Sequence, residues 1–193
     1  MARRTVQFVQ GEYYHIYNRG CNKENIFLSD GNYRFVLGIL KKKARLYSVS
    51  VIAYCLMPNH YHFLLRQNAD KSVGKCIQEV FNKYTKAFNV MYKRTGTLFE
   101  GPFKAIHVSK HDYLLHMCRY IHRNPLEAGL VRQLENWKYS NFLEWVELRR
   151  GSLFDKQFRK DYFSSTDEYR IFVTEYVSPK KELKEFEKSL LDK

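Results

Sequence analysis

Long apolar runs are missing from this 193-residue chain: nothing approaches the roughly eighteen consecutive apolar residues of a membrane-spanning helix. The opening stretch MARRTVQFVQGEYYHIYNRG has cations but no apolar segment of signal-peptide length behind them, so a cytoplasmic protein with no membrane partner is expected. Cysteine is sparse. Cys21, Cys55, Cys76 and Cys118 are widely spaced with no C-x-x-C pair, which argues against a zinc ribbon or a disulfide framework and for reduced, buried thiols. A phosphate-cradling G-x-x-x-x-G-K-[ST] loop is absent, and no nucleotide cofactor is expected. There is no internal repeat, and the one compositionally biased block is the charged end PKKELKEFEKSLLDK.

Acidic residues are also in deficit. Twenty Asp and Glu face 33 Lys and Arg, and the formal charge of +13 is spread from Arg3 to Lys188 rather than confined to a tail. Such a field favours a polyanion, above all nucleic acid. Aromatic residues make up 16% of the chain, fifteen of them tyrosines, and rings set among cations can stack on unpaired bases as well as fill a core.

What is present in quantity is hydrophobic periodicity. YYHIYNRG alternates and ends in a turn signal, giving a strand over about 13–19. Tyr33, Val36, Leu37, Leu40 and Ala44 keep helical spacing, which predicts a helix over about 31–46. SVSVIAYCLM is a β-branched and aromatic strand closed by Pro58 and Asn59, and HYHFLLR returns from that turn as the second arm of a hairpin. A long helix follows with Val73, Ile77, Val80, Phe81, Tyr84, Phe88 and Met91 on one stripe, stopping by Gly96. GPFKAIHVS supplies a further strand. Ser109 and Asp112 resemble a capping box opening the helix HDYLLHMCRYIHRN, which Pro125 should end near Asn124.

This βαββαβ order predicts an α+β, ferredoxin-like, four-stranded antiparallel sheet with helices on one face, plus an extra C-terminal helix. The expected organisation is one domain over 1–148, with Trp137, Phe142 and Trp145 docking on its body, and a basic helical tail over 149–193.

One local pattern carries chemistry. On a strand His60 and His62 share a face, while Tyr61 and Phe63 share the other. Two imidazoles can bind a divalent ion but are too few for a complete site. Tyr120 and Asn124, four apart, lie on one helical face and offer a phenol beside a hard carbonyl ligand. Taken alone, the histidine pair fits two hydrogen-bonded histidines equally well, and an arbitrary Tyr-x-x-x-Asn fits a core ring and a helix cap better than a nucleophile beside a ligand. The other histidines, His15, His107, His111, His116 and His122, show no comparable pairing in the sequence.

Four ordered stretches, YYHIYNRG, AYCLMPNHYHFLL, GTLFEGPFKA and YIHRNPLEAGLV, resemble the single-tyrosine HUH transposases of the IS200 type, in particular the REP-associated branch, over about 13–139. The resemblance implies a ferredoxin-like fold and a divalent metal ion, Mg²⁺ or Mn²⁺, on His60, His62 and Asn124. It implies that Tyr120 is the nucleophile, cutting single-stranded DNA beside small hairpins through a 5′-phosphotyrosine. Arg19 and Lys104 are the expected phosphate contacts, and a monomer or homodimer is expected. The chain departs from the family pattern at Pro102, where many relatives carry Arg, and at Tyr61, which replaces an aliphatic residue between the histidines. A rival reading is a single-strand nucleic-acid-binding module that does not cut, derived from a transposase. It would want stacking rings on the central strands, where this chain has histidines.

Overall fold

A computed structural model of the chain describes residues 6–109 and 111–175, with backbone alone at 111 and 112. Strands β1 (Tyr13–Arg19), β2 (Val49–Leu56), β3 (His60–Gln67) and β4 (Lys104–His107) form one antiparallel sheet in the order β2-β3-β1-β4. Helix α1 (Asp30–Tyr47) joins β1 to β2 and α2 (Val73–Met91) joins β3 to β4, the ferredoxin-like order read from the sequence.

Helices α1 and α2 cover one face. Asn32 turns back at the start of α1, its Oδ1 accepting from the backbone N–H groups of Leu28 at 2.9 Å and Ser29 at 3.2 Å. The stripe Tyr33, Val36, Leu40, Ala44 then packs with Ile77, Val80, Tyr84 and Phe88 of α2 over Tyr14, Ile16, Tyr61, Phe63 and Leu65 of the sheet. Met91 leaves the expected stripe: at the last turn of α2 it is exposed.

The opposite face is covered by α3 (His111–Glu127) and by short helices α4 (Phe142–Trp145), α5 (Lys156–Tyr162) and α6 (Thr166–Thr174). Leu114, Met117, Cys118 and Ile121 of α3 meet Ile52, Ala53, Cys55 and Leu64 of the sheet. Trp145, Phe158, Phe163, Tyr169 and Val173 complete this second core, so residues up to Val173 of the expected C-terminal segment contribute to it. Residues 176–193 of that segment lie outside the described residues.

A bulge between Val51 and Ala53 gives β2 its two-faced character. Before it Val49 and Val51 face α1 and α2; after it Tyr54 and Leu56 do, while Ile52, Ala53 and Cys55 point to the α3 side. Asn141 clamps the bulge, its Nδ2 donating to Ile52 O at 2.9 Å and its Oδ1 accepting from Tyr54 N at 2.6 Å. His122 of α3 joins this clamp, donating from Nε2 to Asn141 Oδ1 at 2.9 Å and accepting at Nδ1 from the Tyr169 hydroxyl at 2.5 Å. Burial keeps that ring neutral, pushing it down to about 4 against a smaller opposing effect of the Asn141 bond.

Pro125 does not end α3, contrary to the expectation. It lies in the last turn, where the helix closes in a Schellman arrangement: Leu130 N donates to Pro125 O at 2.9 Å and Gly129 N to Leu126 O at 3.0 Å, with Gly129 at φ +68°. Packing of Leu126 against the second core holds Asn124 helical despite the following proline. The capping box expected from Ser109 and Asp112 involves the Asp112 side chain, which lies outside what the structure describes. Of the four free cysteines, Cys55, Cys76 and Cys118 are buried as expected, whereas Cys21 is partly exposed.

Candidate functional site

The antiparallel register pairs Tyr17 with His62 and Arg19 with His60. Strand alternation then puts His15, Tyr17 and Arg19 of β1 on the same face as His60 and His62, the face under α3. The same-face placement of the histidine pair read from the sequence is therefore realised, with ring centroids 5.1 Å apart and planes at 82°. His62 is fully buried and His60 half-buried.

His60 is braced from the hairpin turn. Its Nδ1 lies 2.6 Å from Asn59 Oδ1, and Asn59 Nδ2 donates to Lys23 O at 3.0 Å. The amide is thus oriented by a carbonyl on one side and is an acceptor toward the ring. Of the two amide oxygens that face the ring, Asn59 Oδ1 at 2.6 Å is closer than Asn124 Oδ1 at 3.3 Å, which favours the tautomer with the proton on Nδ1 and the lone pair on Nε2. The loop that supplies Lys23 O is pinned in turn. Asn22 and Lys23 both adopt left-handed backbone, Gly20 N donates to Asn59 O at 2.8 Å, and Ile26 N donates to Pro58 O at 2.8 Å. A side chain at Gly20 would meet Glu24 O at 2.1 Å, so the Gly of YNRG is required by close backbone approach.

Across from this, α3 brings Tyr120 and Asn124. Asn124 is buried; its Nδ2 donates to Tyr120 O at 3.0 Å and its Oδ1 faces His60 Nε2 at 3.3 Å. With the neutral ring protonated on Nδ1, two lone-pair atoms face each other, an arrangement that calls for a proton or a cation between them. Octahedral bonds of ~2.1 Å place adjacent donors roughly 3 Å apart, so the pair fits a shared divalent ion. The Tyr120 ring stands edge-on to His62, with centroids 5.5 Å apart, and to His15, at 6.2 Å. The structure thus collects His60, His62, Tyr120 and Asn124 in one place from β3 and α3. Among the described residues no group of three His, Cys, Asp or Glu side chains could hold a metal ion; the candidate set is the two imidazoles with the carboxamide oxygen of Asn124.

His15 was missed by sequence reasoning. Its Nε2 lies 3.0 Å from His62 Nδ1, both residues fully buried. The available signal was its phase on β1 with Tyr13, Tyr17 and Arg19; without the register of β1 against β3 that phase had no partner.

Arg19 and Lys104 sit on the histidine face of β1 and β4, Lys104 opposite Tyr17 and exposed. Arg19 makes a two-pronged ion pair with Glu100, Nε to Oε1 at 2.8 Å and a terminal nitrogen to Oε2 at 3.3 Å. Tyr61 points the other way and stacks on Phe81, centroids 3.9 Å apart and planes within 6°. Gly101, next to the divergent Pro102, accepts from Asn18 Nδ2 at 2.9 Å. No helix among the described residues is long and apolar enough to cross a membrane.

A profile of the family described as "Transposase IS200 like" matches residues 8–124, a span that contains the histidine pair, Tyr120 and Asn124. A search of curated proteins found no match. Among solved structures, a REP-associated tyrosine transposase bound to a REP hairpin superposes with a TM-score of 0.64 at 16% identity, covering 81% of this chain and 98% of that one. A candidate transposase from Deinococcus radiodurans gives 0.43 at 16% identity over 63% and 97% of the two chains, too low to bear on the fold.

Proposed function

Because the chain belongs to the IS200-like transposase family, we propose that it cleaves and rejoins single-stranded DNA beside small hairpins, with Tyr120 as nucleophile. The observation that carries this reading is the convergence of His60 Nε2 and Asn124 Oδ1, 3.3 Å apart, with the Tyr120 ring set against His62. A hairpin-bound transposase of the same fold supports hairpin DNA as the ligand.

The Tyr120 hydroxyl loses its proton to solvent as its oxygen attacks the scissile phosphorus, forming a Tyr–O–P bond as the P–O3′ bond breaks; the departing 3′-oxygen takes up a proton from solvent, so the exchange is balanced. One phosphate ester replaces another, so a 3′-hydroxyl can attack the phosphotyrosine and rejoin strands without an external energy source. His60, His62 and Asn124 would hold a divalent ion, Mg²⁺ or Mn²⁺. When bound, such an ion polarises a phosphate oxygen and stabilises developing charge. Asn124 also positions the nucleophile, since its Nδ2 is bonded to the Tyr120 carbonyl and fixes the last turns of α3. Lys104 and Arg19 neutralise phosphates of the bound strand.

The test is incubation of the full chain with end-labelled hairpin oligonucleotides and Mn²⁺ or Mg²⁺. A denaturant-resistant protein–DNA adduct carrying the 3′ label is expected, because the protein stays on the 5′-phosphate of the downstream fragment. An adduct carrying the 5′ label would reverse the polarity. Tight hairpin binding with no adduct under any divalent ion would replace the enzyme by a binding module.

A further inference from the structure

The two histidines of β3 are held alike: each is engaged through Nδ1, His60 by Asn59 Oδ1 at 2.6 Å and His62 by His15 Nε2 at 3.0 Å. We infer that His15 is a positioning residue that accepts a hydrogen bond from His62 Nδ1–H and so keeps the His62 lone pair on Nε2. The inference rests on the proposed reading of His62 as a metal ligand.

The geometry of the pair is specific. The His15 and His62 rings are parallel within 13°, with centroids 5.2 Å apart. That separation exceeds the nitrogen–nitrogen distance by about one ring width, so the bond runs in the plane of both rings, along a ring lone pair, as a hydrogen bond between imidazoles requires. One proton serves this contact. If it sits on His62 Nδ1, the neutral ring presents a lone pair at Nε2; if it sits on His15 Nε2, His62 carries its proton on Nε2 and cannot ligate there. Only the first arrangement makes His62 equivalent to His60.

The placement is rigid. His15 and His62 are both fully buried, and His15 is diagonal to His62 across paired central strands, β1 pairing Tyr17 with His62. Tyr17 stacks on His15 with centroids 4.7 Å apart and planes at 21°, and lies 5.9 Å from His62, so it fixes the tilt of both rings. Ligating histidines ordinarily bond their second nitrogen to a carboxylate, carbonyl or water. Here a second imidazole takes that place.

The experiment has two arms. In metal-free wild-type protein, nitrogen-15 NMR of the imidazoles is expected to find His62 protonated on Nδ1; protonation on Nε2 would overturn the proposal. In the second arm Mn²⁺ affinity is measured by calorimetry for wild type, His15→Phe, His15→Gln and His62→Ala. Losing the acceptor in His15→Phe should weaken Mn²⁺ by about 10–100-fold, and His15→Gln, whose Oε1 can accept, should recover most of that loss. Equal losses for Phe and Gln would overturn the acceptor role, as would wild-type affinity in His15→Phe while His62→Ala fails to bind. If His62→Ala itself bound Mn²⁺ like wild type, the ligand reading would fail first and this inference with it. Should His15→Phe fail to fold, the NMR arm still decides.

Discussion

His60 Nε2 and Asn124 Oδ1 stand 3.3 Å apart although 64 positions separate them in the chain. The contact exists because α3 crosses the sheet face on which β3 displays its histidines, the face opposite α1 and α2. Removing the amide should therefore be felt at the histidines: Asn124→Ala is expected to weaken Mn²⁺ binding by about tenfold or more, in line with the loss of one donor from a small set. Calorimetric titration of Mn²⁺ into the variant checks this, and unchanged affinity would remove Asn124 from the set.

Two tyrosines separate chemistry from packing. Tyr120→Phe is expected to abolish the covalent adduct while hairpin binding stays within a few-fold, because the phenol acts in the bond-making step. Tyr84 instead donates its hydroxyl to the buried Ile26 carbonyl. Tyr84→Phe should keep the adduct and lose roughly 1–3 kcal/mol of stability, the cost of an unsatisfied buried acceptor. Denaturing gels and urea melts of the two variants decide the assignment; an adduct that persists in Tyr120→Phe would remove Tyr120 as the nucleophile.

Gly20 links the fold to the site. A methyl group there meets Glu24 O at 2.1 Å and Ile26 Cγ2 at 2.9 Å, and the loop that must give way carries Lys23 O, the partner of Asn59. Gly20→Ala is expected to cost roughly 1–3 kcal/mol through overpacking and to weaken Mn²⁺ binding through the loosened His60 brace. Stability and affinity measured together test the link. A destabilised variant with intact affinity would confine Gly20 to folding.

Acid should act on the connection after α3. Asp30 at the start of α1 accepts from the Tyr139 hydroxyl at 2.7 Å and pairs with Lys138 at 2.8 Å. These contacts, Lys138 first and Tyr139 second, hold its carboxyl down at about 2 from an ordinary 3.8. A depressed carboxylate contributes stability that is complete above the unfolded value and is lost as pH falls through the folded one. Between pH 4 and 2 the wild type should lose urea resistance more steeply than Asp30→Asn. Parallel acid limbs for the two proteins would contradict this.

The two proposed phosphate contacts should differ in weight. Lys104 is exposed on the histidine face, whereas Arg19 is already paired with Glu100. Lys104→Ala is expected to reduce the salt slope of single-strand binding by roughly 0.7, the value for one phosphate contact. Arg19→Ala should reduce it by less, and Glu100→Gln should strengthen binding by freeing the guanidinium. Fluorescence anisotropy across a salt series reads all three. An unchanged slope in Lys104→Ala would move the DNA path off β4.

The sequence by itself determined the order of elements, the sheet face shared by His60 and His62, and the helical face shared by Tyr120 and Asn124. Each follows from local periodicity, 2.0 on a strand and 3.6 on a helix, which a residue's own neighbours enforce. Only the tertiary structure decided which face α3 covers, that the histidine face meets Asn124, and that His15 closes on His62 rather than on a solvated edge. Those facts depend on strand register and helix docking, where apolar burial over many residues outweighs any local preference. Pro125 shows the same hierarchy: its local tendency to end a helix yields to the packing of Leu126 and to a glycine-closed turn at Gly129. His15 shows only its phase on β1 in the sequence; its partner is fixed by the strand beside it, and the register between strands leaves no periodic trace in either one.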